Sequence, residues 1–174
     1  MLTPALAMLV LTDEGGSLRG TNNTNAYYFF YDGLNDWNDG AITLTQWVDY
    51  LEVIKNTYGR IGRLTIFAHG RPGRLHMSDM FTLTTDNLKN DNTVRSELSR
   101  LRDILNNEPH ILLFSCRIAK NGLFDSNGTD FVQELANLTG ATVHANKEYT
   151  GNYEDAWFGA DTDWSLDVVA IPNN

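Results

Sequence analysis

Cysteine is almost missing from this chain: Cys116 is the only one among 174 residues. One thiol makes no internal disulfide and no Cys-x-x-Cys pair, which excludes a disulfide scaffold, thioredoxin-like chemistry and cysteine-based zinc sites. Positive charge is also scarce, with 13 Lys and Arg against 22 Asp and Glu and a net charge of -9. Phosphate backbones are bound by clustered basic residues, so nucleic acid is not an expected partner. Long apolar runs are absent as well. The longest, Ala5 to Leu11, falls far short of the ~20 residues that span a bilayer. It has neither a basic start nor a cleavage site, so no membrane association or secretory leader is expected. The expected location is the cytoplasm, or outside the cell if the domain belongs to a larger secreted chain. No Gly-x-Gly-x-x-Gly or Walker motif occurs, and His76, His110 and His144 lack ligand spacing. Neither a cofactor nor a metal is therefore expected, and these three histidines read as structural.

What is present is a globular pattern. Hydrophobic residues make up 42% of the chain, enough for one core, and residues 1–174 read as a single domain with no linker or repeat. Leu6 to Leu11 and Ala26 to Tyr31 are candidate strands. Trp47, Leu51, Ile54 and Tyr58 recur at helical spacing within Thr45 to Tyr58, with Thr45 placed to cap the start. Arg63 to Ala68 is the next strand, followed by the turn Arg71-Pro72-Gly73 and a short strand at Leu75 to Met77. Leu98, Leu101, Ile104 and Leu105 stripe a helix over Thr93 to Leu105, and Pro109 breaks the chain before the strand that ends at Cys116. Asn121 to Thr129, with two Asn-Gly pairs, reads as a surface loop. Phe131, Leu135 and Leu138 stripe a helix over Asp130 to Thr139, which Gly140 ends. Ala141 to Ala145 and Trp164 to Val169 are the last strands. Strands alternating with helices predict a three-layer α/β/α domain around a mostly parallel sheet of about six strands.

Two segments carry the chemistry. Leu64-Thr65-Ile66-Phe67-Ala68 runs into His69-Gly70, and Ile111-Leu112-Leu113-Phe114-Ser115 runs into Cys116. Short apolar runs bounded by turn residues predict buried parallel strands, and ligands of open α/β sheets bind at the carboxyl ends of such strands. A thiol becomes a nucleophile when a base is near, and imidazole is the usual base. His69 and Cys116 are therefore the candidate catalytic pair, 47 residues apart, against roughly 50 for the corresponding caspase pair. Gly70 lets a substrate approach the backbone, so the Gly70 and Cys116 N–H groups are candidates for an oxyanion hole. Arg71 and Arg74 flank the Pro-Gly turn, as solvated side chains or as contacts for an acidic substrate residue. Asp161 and Asp163 are the alternative, a pocket for a basic side chain.

These motifs resemble those of the caspase-like superfamily of cysteine peptidases, in which an apolar strand ends in His-Gly and a later one in a small residue and Cys. The chain is more closely similar to a bacterial domain found in large repeat-containing surface or secreted proteins. The residues carrying that likeness are His69-Gly70-Arg71-Pro72-Gly73-Arg74-Leu75, Cys116, Leu138-Thr139-Gly140-Ala141, Thr150-Gly151 and Trp164-Ser165-Leu166. The resemblance implies a caspase-like fold, a His69–Cys116 dyad, a protein or peptide substrate, and a homodimer formed through the last strand. The caspase motif Gln-Ala-Cys-x-Gly is absent, since Phe114, Ser115 and Ile118 stand at its other positions. Phe114 also replaces the Asp that metacaspases carry two residues before Cys.

A cysteine endopeptidase is thus the leading expectation. A catalytically silent interaction or folding module with the same fold, and a Cys-dependent acyl-transfer enzyme, are the alternatives. A Cys-x5-Arg phosphatase loop is excluded because Gly122 occupies the Arg position.

Overall fold

The computed structural model describes residues 6–12, 26–31, 43–77, 81–122, 127–147 and 166–173, the first two stretches through their backbone alone. Asp161, Asp163 and the start of the strand expected at Trp164 lie outside the described residues.

The chain runs β1 (Leu6–Thr12), β2 (Ala26–Tyr31), α1 (Leu44–Tyr58), β3 (Ile61–Phe67), β4 (His69–Arg71), β5 (Arg74–His76) and β6 (Thr82–Thr84). It continues through α2 (Thr85–Asn90), α3 (Asn92–Ser99), α4 (Leu101–Ile104), β7 (Leu105–Phe114), α5 (Gly128–Thr139), β8 (Thr142–Ala145) and β9 (Val168–Ala170). The main sheet has the order β2-β1-β3-β7-β8-β9, and β4-β5-β6 form a small antiparallel sheet. In the main sheet β3, β7 and β8 pair in parallel, while β1 and β9 run against their neighbours. Four strands therefore point one way, as the buried apolar runs predicted.

The helices explain which face of the sheet is buried. Helix α1 packs on α3 and α4, and α5 packs on α2, α3 and α4. They make one continuous layer. Their crossovers all step the same way along the sheet, from β2 to β3 to β7 to β8, and right-handed connections of that kind share a face. Leu64, Ile66, Ile111, Leu113, Val143 and Ala145 point into that layer and join one core with Trp47, Leu51, Phe131 and Leu135. The described residues thus show two of the three expected layers.

Several boundaries differ from the sequence reading. Helix α1 is capped by Thr43, not Thr45: the Thr43 hydroxyl accepts from Gln46 N–H while the Gln46 side chain accepts from Thr43 N–H. This reciprocal capping box satisfies two groups that a lone Thr45 cap would leave open. The helix expected over Thr93 to Leu105 is split into α3 and α4, with Leu105 already in β7. Helix α2, unexpected from the pattern, is launched by a second capping box between Thr84 and Asn87. Pro109 does not break the chain; it lies inside β7 and is buried. Between Ile61↔Leu105 and Arg63↔His110 the register shifts, so Pro109 occupies a bulged stretch where a missing N–H costs no regular ladder bond. Gly140 ends α5 with φ 72°, as expected. The Arg102 guanidinium donates to the carbonyls of Asn137 and Leu138 there, covering acceptors the helix leaves open.

On the face away from the helices, His110 Nδ1 and His144 Nε2 stand 3.0 Å apart. Burial first, and then the neighbouring His110, hold the His144 imidazole below its ordinary value of 6.5. Among the described residues no helix is long and apolar enough to cross a membrane.

Two measurements test this packing. Leu113 is fully buried, so Leu113→Ala is expected to lower the unfolding free energy in urea by about 2–5 kcal/mol. A histidine whose folded value is depressed contributes stability above its unfolded value, and that contribution is lost as pH falls. Acidification from about pH 7.5 to about pH 5 is therefore expected to destabilise the wild type more than His144→Gln. Urea titrations at both pH values give the comparison.

Candidate functional site

The site begins where the parallel strands stop. Phe67 of β3 lies beside Phe114 of β7, so the segments Ala68-His69-Gly70 and Ser115-Cys116 leave neighbouring strands at the same edge. Asn146 follows β8 at that edge too, because β8 is the parallel neighbour of β7. Three adjacent strands thus deliver His69, Cys116 and Asn146, a placement that parallel topology imposes on carboxyl-end loops.

Ser115 ties the first two segments together. Its side chain is fully buried and its hydroxyl donates to the Ala68 carbonyl at 2.8 Å. Ala68 N–H in turn donates to the Phe114 carbonyl at 3.4 Å. A buried hydroxyl that has found its acceptor holds the residue before His69 to the residue before Cys116. Gly70 makes the closest approach. A Cβ placed there would sit 2.8 Å from Ser115 Cβ, 3.0 Å from the Cys116 carbonyl oxygen and 3.4 Å from Cys116 N. The obstacles are mostly backbone, so only glycine fits without displacing the Cys116 segment.

The turn after Cys116 is held from three sides. Lys120 N–H closes it on the Arg117 carbonyl at 3.0 Å, and Ile118 and Ala119 are fully buried. From the β4–β5 hairpin, Gly73 N–H donates to the Ile118 carbonyl at 3.0 Å. From the end of β8, the Asn146 carbonyl accepts from Ala119 N–H at 3.0 Å. From the start of α5, Gly128 lies so near that a Cβ would be 2.4 Å from the carbonyls of Ile118 and Lys120. Thr85 adds a tie, donating from its hydroxyl to the carbonyls of Gly73 and Asn127. Arg117 adopts φ 56°, a conformation uncommon for a residue with a side chain and found where surrounding contacts enforce it.

The small sheet gives the site a basic wall. His69 pairs with His76 and Arg71 with Arg74, while Thr82 and Thr84 extend the same rows. Alternation along the strands puts these six side chains on one face. Leu75 and Leu83 fill the opposite, buried face. His76 Nδ1 lies 3.1 Å from the Thr82 hydroxyl. Burial first, and then the neighbouring Arg71, His69 and Arg74, hold His76 below its ordinary value. His69, Arg71 and Arg74 are exposed, and Cys116 is half-buried.

The structure therefore brings together His69, Gly70, Cys116, Arg71 and Arg74 among the residues singled out from sequence. Sequence reasoning missed Ser115 as a tether, and it missed Asn146. Asn146 is 8% exposed, and among the described residues its Oδ1 has no hydrogen-bond partner. A polar residue directly after an apolar strand was the available signal. Among the described residues no three His, Cys, Asp or Glu side chains gather around a common point that would hold a metal ion.

The tight fit at Gly70 is open to a direct test. Gly70→Ala is expected to cost about 1–3 kcal/mol, because the added methyl meets backbone with little room to relax. The same substitution should change the rate of Cys116 alkylation by iodoacetamide, since it displaces the cysteine segment. Thermal unfolding and a timed mass spectrum measure both.

Searches of curated proteins and of solved structures returned no match. A family model described as Domain of unknown function (DUF4347) matches residues 30–172. That span holds the strands, the hairpin and the cysteine turn just described, and the chain belongs to the DUF4347 family.

Proposed function

We propose that this domain is a caspase-like cysteine endopeptidase, with His69 as base, Cys116 as nucleophile, and the Gly70 and Cys116 amides as the oxyanion hole. The observation that carries this reading is the packing of Gly70 onto the Cys116 backbone at the ends of two adjacent parallel strands. That closeness of Gly70 to the Cys116 backbone supports a shared oxyanion site of the kind acyl transfer requires. In the proposed reaction His69 takes the thiol proton and the Cys116 sulfur attacks the peptide carbonyl. Negative charge on the carbonyl oxygen is met by the two N–H groups. The tetrahedral intermediate collapses to a thioester as His69 returns the proton to the leaving amine. Water, deprotonated by His69, then releases the acid and the free thiol.

A caspase-like arrangement of the whole domain belongs to the same proposal. The supporting features are the neighbouring His and Cys strands and the hairpin directly after His69-Gly70. Arg71 and Arg74 share the hairpin face with His69, which supports an acidic side chain as the recognised substrate feature. Guanidinium groups offer paired donors to a carboxylate, and exposure leaves them accessible.

A fluorogenic peptide library varied at the residue before the cleaved bond provides the test. Cys116→Ala and His69→Ala are each expected to lose about 10³-fold or more in kcat/KM. Arg71→Ala should lower kcat/KM selectively for acidic peptides. Cleavage that survives Cys116→Ala refutes the proposal. So does a wild type that cleaves nothing while Cys116 stays inert to iodoacetamide; that result favours a silent module.

A further inference from the structure

Asn146 is a buried polar residue at the carboxyl edge. It follows the last residue of β8, on the opposite side of the cysteine strand from the His69 hairpin. Its backbone is committed: the carbonyl accepts from Ala119 N–H in the turn after Cys116. Its side chain is more than nine-tenths buried, yet among the described residues Oδ1 has no hydrogen-bond partner. A buried amide oxygen without a donor carries the full cost of its lost hydration, on the order of 1–3 kcal/mol. Such orphans are rare enough in folded proteins to call for a reason, and an acceptor reserved for a bound group is one. Other buried polar side chains provide the contrast. Ser115, equally buried after β7, has found its acceptor in Ala68. Thr85 and Thr139, also buried, are hydrogen-bonded too.

We infer that Asn146 is a specificity-determining residue for the peptide bound across Cys116, its Oδ1 accepting a hydrogen bond from an N–H of that peptide. The inference rests on the peptidase reading and extends it. Arg71 and Arg74 offer donors on the hairpin side, whereas Asn146 offers an acceptor on the β8 side. The two flanks of the cysteine thus ask for opposite hydrogen-bonding character from the bound chain. A neutral donor suits the buried oxygen, because an ammonium group would add its own desolvation cost. The N–H then comes either from the peptide backbone or from an Asn or Gln carboxamide.

Asn146→Leu removes the acceptor while nearly keeping the volume, and Asn146→Asp keeps an acceptor oxygen. The peptides are a matched set with Asn, Asp or Leu at each position around the cleaved bond, plus versions N-methylated at single backbone positions. In Asn146→Leu, KM is expected to rise about tenfold, the worth of one buried hydrogen bond, with the alkylation rate of Cys116 held. The effect should vanish for one class of peptide only: those lacking the carboxamide if a side chain is the donor, or one N-methyl peptide if the backbone is. Asn146→Asp should keep more of the binding than Asn146→Leu. A melting-temperature change with no change in selectivity would overturn the assignment and make Asn146 structural. Calorimetric binding of the same peptides to Cys116→Ala separates this inference from its premise. Asn146-dependent binding without turnover in the wild type would end the peptidase reading but keep the site. Turnover with no dependence on Asn146 would do the reverse.

Discussion

Parallel pairing of β3 with β7, from Leu64 beside Ile111 to Phe67 beside Phe114, is the constraint on which the rest of this domain depends. Side chains of the two strands alternate in step, so Leu64, Ile66, Ile111 and Leu113 all turn into the helical layer. A slip of one residue would send that whole set to the opposite face, which makes the register costly to change. The same register decides where the strands end together. The segments carrying His69-Gly70 and Cys116 become neighbours because both strands run out of sheet at one edge, and Ser115 secures the junction with its hydrogen bond to Ala68.

Beyond that edge the architecture serves to immobilise a short turn. Residues Arg117 to Lys120 have little secondary structure of their own, yet backbone bonds from Gly73 and Asn146 and the close seat of Gly128 hold them. Each grip comes from a different element: the hairpin after β3, the end of β8, and the start of α5. The nucleophile proposed at Cys116 would be positioned on this turn by rigid neighbours, as reaction geometry demands. The left-handed Arg117 fits the same picture, since a local conformational cost persists only where surrounding contacts outweigh it.

Much of this was legible before any coordinates. Strands β1, β2, β3 and β8 and helices α1 and α5 follow from apolar runs and helical stripes, because burial on one face leaves a period in the sequence. That the segments ending in His69-Gly70 and Cys116 leave the sheet at one edge was legible for a related reason, an apolar run ending at a polar or reactive residue. What escaped was decided by local backbone chemistry. Thr43 and Gln46 cap α1 jointly, and Pro109 is tolerated in β7 because a bulge absorbs it. Helix α2 is too short to show a stripe, and its existence rests on the Thr84–Asn87 capping box.

The division between the two kinds of information has a physical basis. Composition and periodicity alone determined that this is an acidic α/β domain with a parallel core and one thiol at a strand end, because hydrophobic burial is written residue by residue along the chain. Which helices share a face, that Gly70 has no room for a side chain, and that the Asn146 side chain is buried with no partner for Oδ1 among the described residues were decided only by tertiary structure. Those properties belong to pairs of residues far apart in sequence, and they exist only once the sheet has brought the pairs together.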